Sequence, residues 1–126
     1  MFVSAIYASL LALLLVVLAV VVIRVRRKNK IAFADGGINE LTVARSAHAN
    51  ASEYIPIALI LMFALEFNVG HSWLLHAFGI LFLAGRMIHA YGILREQLPK
   101  RVLGMALTFI TIVGLAAANF LAFLPF

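Results

Sequence analysis

Polar and ionisable side chains crowd one short stretch of an otherwise apolar chain. Arg45, His48, Asn50, Glu53 and Tyr54 fall just before the apolar run 57–65. A second group, Arg86, His89, Tyr91 and Arg95, lies toward the end of a later apolar segment. Ionisable groups embedded in a bilayer are costly and by default mark a function. Brought together, the two groups make a mostly cationic pocket with one carboxylate. Such a pocket suits a small ligand with more negative than positive charge. Arginine takes a carboxylate through two parallel hydrogen bonds, and glutamate holds an ammonium.

Residues at i, i+4 and i+7 share one face of a helix, so Ser46, Asn50 and Glu53 align. Arg45 turns about 100° away, beside His48. Arg86 neighbours His89 at i+3, and Tyr91 neighbours Arg95 at i+4. These two pairs face different directions, one toward an intramolecular gap and the other toward a gap between subunits. An unpaired buried carboxylate is very costly, which makes Arg86 the expected partner of Glu53. The plainer alternative is an ion pair that only fixes helix register, with Asn50 bonded across helices. His71 and His76 lie toward the opposite end and read as loop and packing residues. His48 and His89 have no metal-ligand spacing around them, so no metal is expected.

The elements that must position these groups are membrane helices. Of the 126 residues 65% are hydrophobic and 12% charged, against about 45–50% and about 25% in soluble domains. The fold class expected is all-α, an integral membrane four-helix bundle in one domain over 1–126, with helices at about 2–27, 40–67, 72–95 and 101–126. Each is long enough for the roughly 20 residues a crossing needs. The first segment lacks a basic leader and is followed, not preceded, by its cations, so it reads as a retained helix and not a signal peptide. Asp35-Gly36-Gly37 is a turn signal, Asn39 a candidate N-cap, and Pro56 a kink within the second helix. Pro99 resists continuation of the third. Small residues, Gly104 and Gly114 among them, suit close packing of the fourth.

Charge placement gives an orientation. Arg24, Arg26, Arg27, Lys28, Lys30 and Arg45 surround the first connection, and Arg86, Arg95, Lys100 and Arg101 the third; these are all ten basic side chains. The positive-inside rule puts both connections in the cytoplasm and both termini on the opposite side. That rule also accounts for the basic run, and no nucleic acid is expected as a partner. With no cysteine in the chain, any thiol chemistry must come from a substrate.

The run Asp35-Gly36-Gly37, Leu41, then His48-Ala49-Asn50-Ala51-Ser52-Glu53-Tyr54-Ile55-Pro56, resembles the MAPEG superfamily, the membrane-associated proteins in eicosanoid and glutathione metabolism. The short bacterial members are the nearest in pattern. Ala84-Gly85-Arg86-Met87-Ile88-His89-Ala90-Tyr91-Gly92 and Arg101-Val102-Leu103-Gly104-Met105 resemble their third and fourth helices. The resemblance implies a homotrimer in the bacterial inner membrane, with glutathione as co-substrate bound between subunits near the cytoplasmic face. Asn50, Glu53 and Tyr54 match glutathione-binding positions, and Arg86 and His89 match polar positions of the third helix. Arg101 is the nearest match to an arginine that stabilises the glutathione thiolate. Ser46 and Ile93 stand where related sequences carry an arginine and a tyrosine.

The expected function is therefore a glutathione transferase or peroxidase acting on lipophilic small molecules that arrive from membrane lipid. Arg101 is its catalytic cation. Arg45, His48, Asn50, Glu53, Tyr54, Arg86, His89, Tyr91 and Arg95 hold the tripeptide. A non-catalytic ligand-binding scaffold on the same fold is the alternative, carried by Ser46 and Ile93. A small multidrug exporter built on Glu53 is disfavoured by the cations around it.

Overall fold

The computed structural model describes residues 2–70 and 72–124 and folds as four helices: α1 (Val3–Asn29), α2 (Asn39–Val69), α3 (Ser72–Leu94) and α4 (Leu98–Ala122). All four are long and apolar enough to cross a membrane. In hydrocarbon a helix satisfies its own backbone, which is why long apolar runs take this form. The 27 residues of α1 reach about 40 Å, more than the roughly 30 Å hydrocarbon layer. Its basic last turn therefore lies beyond the apolar region.

The most extensive pairing is α3 against α4; α2 touches all three other helices, and α1 packs on α2 and α3. Two glycines set the α3–α4 approach. A Cβ on Gly104 would overlap the backbone of His89, and one on Gly92 would meet the backbone of Lys100 and Arg101. Buried Leu11, Leu18, Ala47, Ala51, Ile55, Ala58 and Phe82 fill the middle of the bundle.

The helix ends differ from the sequence expectation in instructive ways. Asn39 is the first residue of α2 and not its cap; Ile38 holds the cap position without a side-chain bond. Asp35 organises this turn instead, accepting from the Gly37 amide at 3.0 Å and the Thr42 hydroxyl at 3.3 Å. Gly36 and Gly37 take positive φ of 57° and 74°, which glycine adopts freely. Pro99 lies in the first turn of α4, where a missing N–H is harmless, so α4 begins three residues before Arg101. The reversal itself falls at Glu96, with φ 52°. Pro56 lies within α2, which is helical on both sides of it.

At the opposite end of the bundle, α1 has no side-chain cap of its own. Its first amides, Val3 and Ser4, donate to the carboxylate of Glu66 on α2, as does the Ser4 hydroxyl. An acidic group there also complements the helix dipole. Beside it the Tyr7 hydroxyl meets His76 Nδ1 at 2.9 Å, so His76 ties α1 to α3. His71 lies outside the described residues.

Candidate functional site

The register of α2 against α3 is read from one side chain. Arg86 is fully buried (0% exposed). It reaches from α3 to both neighbours: Nη2 donates to Asn50 Oδ1 at 2.6 Å, and Nη1 to the Thr108 hydroxyl at 3.3 Å. Thr108 can accept because its own proton goes to the Gly104 carbonyl at 2.8 Å. The Tyr54 ring lies 5.7 Å from the guanidinium carbon and is braced edge-on by Phe109. Asn50, Tyr54 and Arg86 thus come together as the sequence indicated, and Thr108 joins them. Thr108 gives no signal in the sequence, because a lone hydroxyl in an apolar helix usually bonds its own backbone; this one does that and accepts from Arg86 as well.

Glu53 is not the partner of Arg86. It is exposed, and the ion pairs among the described residues are Lys28–Glu40 at 3.1 Å and Arg45–Asp35 at 4.0 Å. The reason is helical geometry. Ala47, Ala51 and Ile55 form the buried stripe of α2; Glu53 is two residues from both Ala51 and Ile55, hence about 200° around the helix. The two polar groups therefore meet through an amide, in a packed network and not an open pocket. Within it the Arg86 Nε finds no acceptor.

His89, 2% exposed, sits one turn nearer the α3–α4 connection. Its Nδ1 is 2.8 Å from the Arg101 carbonyl. A carbonyl only accepts, so Nδ1 carries the proton, and Nε2 is buried without a partner among the described residues. Arg101 is thereby fixed at its backbone while its side chain stays exposed. It lines a cleft of about 270 Å³ together with Ser46, Ile93 and Glu96. Ser46 and Ile93, the two departures from the related pattern, thus border the same space as Arg101. The Ser46 hydroxyl donates to its own helix, at the Thr42 carbonyl.

The remaining residues lie outside these two places. Tyr91 (45% exposed) faces away from Arg86, with Lys100 Nζ 4.5 Å and Arg95 5.9 Å from its ring centre. Arg45 is exposed and turned toward Asp35, and His48 is half-buried on the same outer side of α2. The Gly37 amide, then Thr42 and Arg45, hold the Asp35 carboxyl below the ordinary carboxylate range. A single chain thus presents a buried Arg86 network, an Arg101 cleft, and outward-facing Glu53, Tyr91 and Arg95.

Comparison with known proteins adds a sequence relationship. The MAPEG family model matches residues 4–121. The "Inner membrane protein YecN" of Escherichia coli strain K12 is 43% identical over 117 residues, 93% of this chain and 89% of its own. The protein of the same name from Escherichia coli O6:H1 matches to the same extent.

Proposed function

The chain belongs to the MAPEG family, and on that premise we propose that it binds glutathione and uses its thiolate against lipophilic electrophiles or peroxides. It is an integral membrane protein; its relatives' name supports the inner membrane as its location. The observation that carries the reading is the cleft of about 270 Å³ whose one lining cation is Arg101, beside the α2–α3–α4 contact that Arg86 and Asn50 hold together. Glutathione supplies carboxylates and a thiol, and its ammonium suits Glu53.

In this reading Arg101 acts on the sulfur. It stands in the first turn of α4, where its own charge and the positive end of the helix both favour thiolate over thiol. The thiolate is the nucleophile. It forms a carbon–sulfur bond as the leaving group departs, or it attacks a peroxide oxygen, breaking the O–O bond to release an alcohol and leaving a sulfenic acid that a second glutathione converts to disulfide and water. A lipophilic partner reaches it through the bilayer.

A homotrimer completes the reading. Glu53, Tyr91 and Arg95 face outward from one chain, and an ionisable group on a membrane helix needs a partner. A neighbouring copy would bring such groups against the tripeptide. The basic first and third connections support a cytoplasmic position for that end.

One observation favours a second reading, a scaffold that binds its ligand without turnover. Ser46 and Ile93 leave the Arg101 cleft with a single cation on its wall. Calorimetry with glutathione, followed by a chloronitrobenzene conjugation assay, separates the two. Binding with turnover supports the transferase, binding alone the scaffold, and no binding removes both.

A further inference from the structure

At the basic end of α1 is a surface that the Arg86 network and the Arg101 cleft do not use. The five cations from Arg24 to Lys30 divide by partner. Lys28 is held by Glu40 at 3.1 Å. Arg26 is turned into its own loop, with Nη1 donating to the Ala34 carbonyl at 2.8 Å and more weakly to that of Ala32. Arg24, Arg27 and Lys30 are exposed and make no ion pair among the described residues.

The loop beside them is built. Lys30 ends α1 at φ 55°, the Ile31 amide donates back to the Arg26 carbonyl at 3.1 Å, and Ala34 takes φ 54°. Ile31 folds back to pack with Val25, Leu41 and Ala44. The chain therefore returns along α1 toward the membrane, and Phe33 is displayed 88% exposed. A groove of about 370 Å³ is lined by Ile23, Arg26, Arg27, Lys30, Ile31 and Ala32, with the Arg26 guanidinium already engaged by the loop carbonyls. From Arg24 to Lys30 the helix rises about 9 Å, comparable with the roughly 5–8 Å headgroup layer beside the hydrocarbon. Unpaired cations thus stand at headgroup depth, with an apolar wall below, and the loop that leaves the groove displays an exposed aromatic ring. Aromatic rings and basic clusters are each favoured at this interface, the latter by anionic lipid.

We propose that this groove is a binding site for an anionic phospholipid of the adjacent leaflet. Arg27 and Lys30 take the phosphodiester, Ile23 and Ile31 line the start of an acyl chain, and Phe33 inserts beside it. Charge complementarity selects the occupant, because a neutral lipid leaves both cations unanswered.

Native mass spectrometry of the full chain in detergent tests this, with phosphatidylglycerol and phosphatidylcholine offered in competition. Phosphatidylglycerol is expected to be retained preferentially. The double variant Arg27→Gln/Lys30→Gln should lose roughly 25-fold of that preference, about fivefold per cation. Lys28→Gln, whose ammonium is already paired, should keep it. Phe33→Ser should weaken retention by roughly tenfold without altering the charge selectivity. Equal retention of the two lipids by the parent overturns the proposal, as does an unchanged preference in a double variant that unfolds at the parent's temperature. If millimolar inorganic phosphate displaces the lipid fully and Phe33→Ser has no effect, the site is one for a phosphate ion, and the lipid assignment is wrong.

Discussion

His89 on α3 donates its Nδ1 proton to the main-chain carbonyl of Arg101 on α4, at 2.8 Å. The bond joins a buried side chain to the backbone of the residue whose guanidinium borders the cleft. His89 is therefore a positioning residue for Arg101. His89→Phe should cost about 0.5–1.5 kcal/mol, the net worth of one hydrogen bond to a carbonyl that α4 itself also bonds, and should weaken glutathione binding. His89→Asn keeps a donor and should recover both. Thermal unfolding and calorimetry on the pair check this. Equal loss in the two variants would mean that ring volume, not the hydrogen bond, matters.

Arg86 and Asn50 should respond with opposite signs. Arg86→Met removes the buried charge and leaves Asn50 with half-buried polar atoms, so stability should hold or rise. Asn50→Leu strips the guanidinium of its 2.6 Å acceptor and should destabilise by about 3–5 kcal/mol. Glutathione binding should fall at least tenfold in both. Denaturation midpoints measured beside calorimetry read the two effects separately.

Glycine substitutions should rank by what the new methyl meets. At Gly104 it meets the backbone of His89, whereas at Gly114 the near atoms belong to the Phe78 ring. Gly104→Ala should cost about 1–3 kcal/mol and disturb the Arg101 cleft. Gly114→Ala should cost clearly less, because a ring can turn aside. Unfolding midpoints of the two variants decide it.

Glu66→Ala should destabilise the protein by about 1–2 kcal/mol, through lost hydrogen bonds to Val3 and Ser4 and lost dipole complementarity. Since Glu66 lies at the other end of α2 from Asn50, glutathione affinity should not change. Hydrogen exchange at the start of α1 should quicken first.

The Asp35 turn should be acid-sensitive. Its carboxyl lies below the ordinary range when folded, chiefly because the Gly37 amide bonds the anion. The stabilisation is therefore present above the ordinary aspartate value and is lost as pH falls through the depressed one. The Gly37 amide resonance should follow that titration, with its midpoint below about 3.9. A midpoint at or above that value would remove Asp35 as organiser of the turn.

How much of this was legible in the sequence differs by level. The four spans follow from long apolar runs, and the turn at Gly36 and Gly37 from residue type alone. The Asn50–Tyr54–Arg86 grouping was legible because polar residues are rare here. Charge alone pairs Glu53 with Arg86, but angle decides the matter: Ala47, Ala51 and Ile55 mark the inner face of α2, with Glu53 on the outer one. The α1 cap by Glu66 was not legible at all. It depends on the relative heights of two helices, which no local pattern encodes.

That cap has a consequence for how the protein is made. Val3 and Ser4 find their acceptor 62 to 63 residues downstream. A nascent chain that has emerged only as far as its first span has no Glu66 with which to close the exposed amides. The capped state exists only once the second span has been synthesised and has turned back alongside the first. The α1–α2 hairpin is thus the shortest length of chain that can hold this contact.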